Sequence, residues 1–406
     1  MSVHTKVTLF NDPIYGFIAI ETPLIFQLIE HPYFQRLRRI AQMGLSSLVY
    51  PGAHHTRFEH ALGAMHIMQR AIAVLRAKGV AISEAESEAM QVAILLHDIG
   101  HGPFSHATEK SLIQGIAHES ISIQIMESLN TEFNGGLTLA LQIFKNQYPR
   151  KFMHQLLSGQ LDVDRLDYLK RDSFYTGVTE GNINTERILA TMNVVDENLV
   201  FEIKGIHSLE KFLLARRLMY WQVYLHKTSL VAELLLVKAL ERARSLGSDA
   251  GFTNPNLALF FSTEKPIVFD ESLLTAYLRL DDSDLMQQLK QWSHGSDSIL
   301  KKLSLQLLQR NLLKIKIKDT PFLPAEIQNK KEATVPNLDT IARDTFVFSG
   351  SVSNQTYVTD AQKIVLVDKA KKTISIERAI DYLDFDAFSK PQIKYYLCYP
   401  KQLFYL

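Results

Sequence analysis

Histidines and an aspartate are concentrated at residues 97–106, directly after a strongly apolar stretch. His97 and Asp98 follow residues 93–96, where a plain helix would bury leucine or valine. Burying two such polar groups without partners costs several kcal/mol. Because imidazole and carboxylate both bind divalent ions, a metal ion would compensate this cost. The alternative, for this pair alone, is a helix end whose aspartate caps local amides.

A second dense polar cluster occupies residues 162–172 and contains four aspartates. Asp164, Tyr168 and Asp172 are four residues apart, so a helix places them on one face. A mixed-charge surface of ion pairs between positions i and i+4 is the alternative explanation of this spacing.

A plausible metal set combines His60, at the start of an earlier predicted helix, with His97, Asp98 and one later aspartate. Two imidazoles and two carboxylates on separate helices suit a site inside a helical bundle. Ligation by nitrogen and oxygen without sulfur fits Mn, Fe, Mg, Co or Zn, and the residue types do not choose among these divalent ions. Such an ion acidifies water and withdraws charge from a phosphoryl oxygen.

Cationic and proton-transferring side chains accompany this metal set. Three arginines are suited to holding phosphate: Arg57, Arg165 and Arg216. Three further residues are available for proton transfer: His106, Glu109 and His118. A metal, phosphate-binding cations and proton donors together favour phosphoester hydrolysis.

The composition narrows the class of protein. The chain has 406 residues, so two or three domains are expected. Its 44 Lys and Arg nearly balance its 43 Asp and Glu, and this gives no global basic signature for nucleic acid. Cys398 is the single cysteine, which excludes an intramolecular disulfide. Without a signal pattern or a run of about 18 apolar residues, a cytoplasmic protein without a membrane span is expected.

The elements that must position these residues are predicted to be mainly helices. Turn formers between two apolar runs predict a β-hairpin within residues 5–20. Thr22-Pro23 and the Ser83–Glu86 pattern predict helix starts. Residues 208–245 predict one long helical stretch, and three arginines within residues 36–39 are interpreted as a solvated helix face.

The chain is predicted to fall into three parts. Residues 1–30 form an N-terminal hairpin with a lead-in helix, and residues 31–246 form the helical core that carries the clusters. Residues 247–406 form a C-terminal α+β region, because helical patterns there give way to alternating strands.

Six motifs resemble, in their order, the HD-domain metal-dependent phosphohydrolases. They are FNDPIYG at 10–16, QRLR at 35–38, YPGA at 50–53, RFEH at 57–60, HDIGHGPFSH at 97–106 and DVDRLDYLKRD at 162–172. The combination is most similar to the branch of deoxynucleoside triphosphate (dNTP) triphosphohydrolases that includes the SAM-and-HD-domain proteins, here without an expected SAM domain. The similarity covers roughly residues 7–240 and implies a mainly α fold with an HD-domain helical bundle core.

The resemblance also implies roles for individual residues. The implied metal ligands are His60, His97, Asp98 and Asp164. The implied substrate contacts are Arg57, His101, Arg165, Tyr168, Arg216 and Tyr220, with Gln42 and Asp172 reading the sugar 3′-hydroxyl. The implied catalytic residues are His106, Glu109, His118 and Glu119. In that branch, metal-bound water attacks the α-phosphorus and yields deoxynucleoside and tripolyphosphate.

Other functions remain open at this point. One is an HD-domain phosphatase or phosphodiesterase acting on nucleoside monophosphates or single-stranded nucleic-acid ends, and another is a weakly active nucleotide-binding sensor. The resemblance implies a homo-oligomer and leaves a regulatory nucleotide open, through positions such as Glu30, Gln35 and Arg38. A membrane partner is not expected, and nucleic acid is not favoured.

Overall fold

The computed structural model describes residues 7–109, 111–113, 115–261, 269–354, 357, 363–380, 385 and 389–404. Residues 5–6 of the predicted hairpin and the side chain of His106 lie outside this described part. The described chain is mainly helical, with a short N-terminal hairpin and a C-terminal region of helices and strands. The predicted fold class is therefore confirmed.

The helices of the first 246 residues surround the site. They are α1 Pro23–Glu30, α2 Pro32–Gln35, α3 Arg57–Ala77, α4 Glu84–Leu95, α5 His106–Glu109, α6 His118–Glu132, α7 Thr138–Phe144, α8 Lys151–Leu157, α9 Val163–Thr176, α10 Thr185–Thr191, α11 Ile206–Met219 and α12 Lys227–Leu246. Later in the chain come α13 Pro255–Ala258, α14 Glu271–Tyr277, α15 Asp282–Trp292, α16 Ser298–Leu308, α17 Pro324–Thr334, α18 Thr340–Phe346 and α19 Ile376–Ala379.

The strands form three small sheets within the described residues. They are β1 Thr8–Asp12, β2 Gly16–Ile20, β3 Met192–Val195, β4 Asn198–Glu202, β5 Lys314–Lys318, β6 Phe348–Asn354, β7 Val365–Val367, β8 Thr373–Ser375 and β9 Gln392–Tyr399. β1 and β2 form the predicted antiparallel hairpin, with Asn11 opposite Phe17. The other sheets have the orders β3-β4-β7-β8 and β5-β9-β6. The sheet of β3 and β4 thus recruits strands from the C-terminal region.

Local sequence signals explain where the helices begin. The Thr22 side chain accepts from the Ile25 amide ahead of α1. Ser83 and Glu86 exchange side-chain and backbone hydrogen bonds in a capping box ahead of α4. Asp162 accepts from the Arg165 amide at 2.8 Å and so begins α9, the helix of the second polar cluster.

The centre of the core is α3, which packs against both α4 and α9. Close packing with α9 depends on Gly63. A Cβ atom at Gly63 would lie 2.1 Å from Asp167 Oδ1 and 2.1 Å from Arg171 Nη2, so any larger residue displaces these groups. The apolar cluster continues beyond residue 246 and includes Leu280 and Tyr399.

Two local predictions are wrong. Arg36 is buried, with 1% of its surface exposed, because its guanidinium donates to the carbonyls of Leu280, Ile99 and His101. Only Arg38 and Arg39 of this group are exposed. The long stretch at 208–245 is two helices, separated by a π-helical turn at Tyr220–Tyr224.

None of the helices in the described residues combines the length and the apolar character needed to cross a bilayer.

Candidate active site

Three helices bring the predicted metal ligands together. His60 lies in the first turn of α3, His97 and Asp98 follow the end of α4, and Asp164 lies in the first turn of α9. Asp164 Oδ1 is 3.1 Å from His60 Nε2 and 3.4 Å from His97 Nε2. Asp98 Oδ2 is 3.8 Å from His60 Nε2. Residues more than one hundred positions apart therefore converge on one point.

The Nδ1 atom of each imidazole contacts a group on the side away from Asp164. His97 Nδ1 donates to the Ile94 carbonyl at 2.6 Å, and His60 Nδ1 is 2.7 Å from Asp167 Oδ2. The Nε2 atoms of both histidines are buried and have no hydrogen-bond partner in the described part of the chain. An imidazole whose Nδ1 hydrogen bonds outward presents Nε2 as a metal ligand. Two such nitrogens beside two carboxylates fit a divalent metal ion.

The charges of this cluster favour a bound cation. Burial raises the pKa of Asp164, but the adjacent imidazoles of His60 and His97 outweigh burial and hold that pKa well below its usual range. Burial lowers the pKa of His60, but the adjacent carboxylates of Asp164 and Asp167 outweigh this and raise it to about 10. The carboxylates therefore stabilise positive charge at this point, whether a proton or a metal ion carries it.

Asp98 joins the metal cluster to the proposed proton-transfer residues. It pairs with Arg57 Nη1, and its Oδ1 lies 3.3 Å from His101 Nε2. The ring of His101 stacks on that of His118 at a centroid distance of 3.8 Å. His118 Nδ1 is in turn 3.0 Å from Glu109 Oε1.

Glu119 and His106 complete the predicted catalytic set. Glu119 Oε1 lies 3.5 Å from His118 Nε2, and its side chain is 61% exposed. His106 begins α5, and its side chain lies outside the described residues. The roles of both residues remain predictions.

The other side of the site carries arginines and tyrosines. Arg165 Nη1 pairs with Asp162, whereas Arg165 Nε is buried without a partner in the described chain. Arg216, with only 8% of its surface exposed, likewise has no described partner for Nε and Nη1. Burial raises the pKa of Tyr168, although the charges of Arg216 and Arg165 act on its phenol in the opposite direction. These groups are therefore neighbours beside Asp164.

The π-helical turn contributes Tyr220 and Tyr224 to the same side. Their rings are 5.3 Å apart, and Tyr224 is 6.1 Å from the ring of Tyr168. Tyr224 Oη donates to Asp172 Oδ2 at 2.6 Å. Asp172 is therefore fixed next to the tyrosines, as the shared face of α9 predicts.

The two residues predicted to read the sugar are linked by His55. His55 Nε2 is 2.7 Å from Asp172 Oδ1, and the His55 carbonyl accepts from the Gln42 amide at 3.0 Å. Gln42 Oε1 is buried and has no hydrogen-bond partner among the described residues. An acceptor in this state is available to a ligand hydroxyl.

Sequence reasoning assigned no role to Asp167 or His55. Asp167 lies three residues after Asp164, on the same side of the helix, but it falls outside the four-residue series of Asp164, Tyr168 and Asp172. His55 is one of two adjacent loop histidines, and the sequence does not show that His55 is buried against Tyr175, at a ring distance of 4.4 Å, whereas His54 is exposed. A signal for Asp167 did exist, because a metal-binding histidine commonly needs a carboxylate behind it.

Comparisons with known proteins give family matches over the part of the chain that carries the predicted site. The family model for the HD domain matches residues 57–172, which contain the four predicted metal ligands. The model for the HD-associated region matches residues 183–251. The uncharacterized protein YwfO of Bacillus subtilis is 35% identical over 312 residues, spanning 75% of this chain and 70% of YwfO.

A solved structure and a named enzyme extend the comparison. The crystal structure of a phosphohydrolase from Bacteroides thetaiotaomicron matches with a TM-score of 0.93 and 46% identity, covering 98% of this chain and 100% of that one. The deoxynucleoside triphosphate triphosphohydrolase SAMHD1 homolog of Dictyostelium discoideum is 30% identical over 254 residues. That match spans 58% of this chain and 49% of the Dictyostelium protein, about half its length.

Proposed function

Because the chain belongs to the HD-domain family of phosphohydrolases, we propose that it hydrolyses dNTPs to deoxynucleoside and tripolyphosphate. The bond cleaved joins the α-phosphorus to the 5′-oxygen of the sugar. Water supplies the oxygen that adds to phosphorus, and the departing 5′-oxygen takes up a proton. The similarity to the named triphosphohydrolase from Dictyostelium, at 30% identity, supports this choice of substrate.

The observation that carries the proposal is a set of buried arginine N–H groups that have no acceptor among the described residues. Arg216 and Arg165 both keep buried N–H donors that no described residue accepts. A buried donor left without an acceptor costs about 1–3 kcal/mol, more when the group is charged. Phosphate oxygens are acceptors that suit a planar guanidinium. An anionic ligand on this side of Asp164 would remove that cost.

The chain's residues divide the work as follows. A divalent ion held by His60, His97, Asp98 and Asp164 would supply polarisation of a phosphoryl oxygen and acidification of water. Arg165, Arg216 and Tyr168 hold the triphosphate and oppose its charge as the leaving group departs.

Proton transfer and recognition of the sugar involve other residues. His118, oriented by Glu109 at 3.0 Å, donates the proton that the departing oxygen needs. Gln42 and Asp172 bind the 3′-hydroxyl, and Tyr220 lies next to the bound nucleotide. His101 lies between Asp98 and His118 and fixes the positions of those two side chains relative to each other.

The decisive experiment is a substrate panel. Purified protein is incubated with each dNTP, each dNMP and a single-stranded oligonucleotide, with Mn²⁺, Mg²⁺, Fe²⁺, Co²⁺ or Zn²⁺, and the products are separated by ion chromatography. We expect tripolyphosphate and deoxynucleoside in equal amounts from at least one dNTP. Orthophosphate from dNMPs, or shortened oligonucleotide, would instead support the phosphatase or phosphodiesterase alternative. Tight nucleotide binding without product would support the sensor.

Three further predictions belong to this proposal. We propose that the protein acts as a homo-oligomer in the cytoplasm, because the resemblance implies self-association. A regulatory nucleotide, through Glu30, Gln35 and Arg38, remains a prediction of the same kind. Light scattering with and without added nucleotide measures the oligomer, and activation by a second nucleotide in the substrate panel tests regulation.

A further inference from the structure

A segment beyond the predicted catalytic core contacts the loop that carries the metal and proton-transfer residues. Tyr277 Oη donates to the Gly100 carbonyl at 2.9 Å. The Leu280 carbonyl accepts from Arg36, whose guanidinium also binds the carbonyls of Ile99 and His101. Residues 277–282 therefore pack directly behind the loop at residues 99–105.

Asp282, in the first turn of α15, links two separate walls of the site. Its Oδ1 accepts from the Phe104 amide at 2.7 Å, and its Oδ2 accepts from the Ala41 amide at 2.8 Å. Phe104 precedes Ser105, whose Oγ accepts from Arg57 Nε at 2.9 Å. Ala41 precedes Gln42, the predicted reader of the sugar. One carboxylate thus joins the Phe104–Ser105 turn to the Ala41–Gln42 segment.

The wall at Phe104 is strained. Phe104 and Ser105 have φ angles of 50° and 44°, in the left-handed region that residues with a Cβ atom rarely occupy. Each such residue costs about 1–3 kcal/mol and persists only where its surroundings hold it. The amide of Phe104 is part of this turn, and the hydrogen bond to Asp282 is one of the contacts that hold it in place.

Capping of α15 does not explain the position of the Asp282 side chain. Asp281 is the N-cap of α15, accepting from the Ser283 amide at 2.9 Å, and Asp284 accepts from the Asp281 amide. Both oxygens of Asp282 instead bind amides from elsewhere in the chain. Burial raises the pKa of Asp282 to about 6, although hydrogen bonds from Ala41 and Phe104 oppose this. The protein therefore keeps this carboxylate partly desolvated, at a cost in free energy.

We propose that Asp282 is a positioning residue of the active site, which clamps the Phe104–Ser105 turn to the Ala41–Gln42 segment. The backbones of Ala41 and Thr56 already pair with each other, so the clamp sets the position of the Phe104–Ser105 turn against that pair. Ser105 in turn holds the guanidinium of Arg57, which contacts Asp98, a predicted metal ligand. The consequence for turnover rests on the proposed phosphohydrolase function, whereas the clamp itself is a property of the fold.

The test compares Asp282→Asn with Asp284→Asn. The asparagine amide has one oxygen and one NH₂ group, so at position 282 it faces one of the two backbone amides with a donor. Asp284 lies in the same helical turn and, among the described residues, bonds to Asp281 and Asn254, so its variant perturbs the helix start without touching the clamp. Hydrogen exchange is measured for peptides covering 99–106 and 40–44, together with metal content and dNTP kinetics.

We expect faster exchange in both peptides for Asp282→Asn and unchanged exchange there for Asp284→Asn. Displacing the walls by about 1 Å should lower kcat by about tenfold to a hundredfold, with bound metal retained and KM changed less than about threefold. Asp282→Glu keeps two acceptor oxygens and should restore part of kcat. If Asp282→Asn does not accumulate as folded protein, Asp282→Glu against wild type makes the same comparison in a milder form.

Equal exchange and equal kcat in Asp282→Asn and Asp284→Asn would overturn the clamp. So would a loss of kcat in Asp282→Asn that is fully explained by lost metal. If the wild-type protein hydrolyses no dNTP, the proposed substrate is wrong. The exchange measurements would still decide whether Asp282 holds the Phe104–Ser105 turn against the Ala41–Gln42 segment.

Discussion

The metal side and the arginine side of the site leave opposite kinds of polar atoms without partners. Within the described residues, the buried atoms without a hydrogen bond near the metal ligands are the Nε2 nitrogens of His60 and His97, which can donate an electron pair to a cation. Among the arginines, the corresponding atoms are Nε of Arg165 and Arg216 and Nη1 of Arg216, which are N–H donors that suit an anion.

The kind of buried atom that lacks a hydrogen bond therefore indicates the charge of the ligand that each group of residues can bind. Buried polar groups in proteins nearly always have partners, so the exceptions need an explanation. Here His60 and His97 lie within 3.4 Å of Asp164, and Arg165 follows Asp164 in the chain. A metal ion and the phosphate groups of a nucleotide would together satisfy both, which neither ligand alone does.

Asp164→Ala should give the largest effect, because Asp164 Oδ1 lies within 3.4 Å of Nε2 of both His60 and His97. Loss of a metal that contributes several kcal/mol to the transition state lowers kcat by about 10³-fold or more. Metal content by mass spectrometry should fall together with turnover, while the helical circular-dichroism signal persists. The exposed Asp249→Ala is the control. Full turnover with full metal in Asp164→Ala would remove this residue from the site.

Arg216→Ala tests the arginine side separately. Losing a charge-assisted hydrogen bond costs about 1.5–3 kcal/mol, so KM for a dNTP should rise roughly 10- to 100-fold. Metal content should not change. Arg217→Ala, which removes the same charge one position along the helix, is the matched control. An equal rise of KM in both variants would show a general charge effect and not a phosphate contact.

Asp167→Asn should weaken metal binding through its contact with Nδ1 of His60. Asparagine can still accept from His60 Nδ1 but lacks the negative charge that makes the imidazole a stronger ligand, so metal affinity should fall about tenfold. Competition with a chelator measures the dissociation constant, and KM at saturating metal should stay constant. Asp12→Asn is the control, because Asp12 binds Arg171 at 2.8 Å, as Asp167 does, but does not contact His60. Equal metal affinities in the two variants would remove the orienting role.

Ser83→Ala should change neither side. Ser83 caps α4 far along the helix from His97, and its loss should reduce the free energy of unfolding by about 1 kcal/mol. Urea denaturation measures this change, while metal content and KM remain at wild-type values. A large change of KM in this variant would mean that global stability, and not local geometry, controls substrate binding.

Much of the fold and of the site was predictable from local patterns. The capping box at Ser83–Glu86 and the turn residues after Asp12 specify a helix start and a hairpin through short-range hydrogen bonds. The four-residue spacing of Asp164, Tyr168 and Asp172 placed them on one helix face, and the structure brings all three to the same side of α9. Their functional roles, like the three-part division of the chain, stay predictions.

Contacts between distant segments were not predictable. Arg36 has the sequence context of a solvated helix, yet its guanidinium binds carbonyls at Ile99, His101 and Leu280. The break at Tyr220–Tyr224 follows a helix, residues 206–219, that carries no proline or glycine. In both cases the outcome depends on what packs against the segment.

By itself, the sequence determined the helical periodicities, the capping signals and the residue types that could bind a metal and phosphate. These depend on interactions within a few positions of the chain. Only the tertiary structure decided that Asp167 supports His60, that His55 joins Gln42 to Asp172, and that Asp282 spans two walls. The side-chain bonds of Asp167, Asp172 and Asp282 to these partners join residues 107 to 241 positions apart, which meet through packing of the whole core, and no local pattern encodes that pairing.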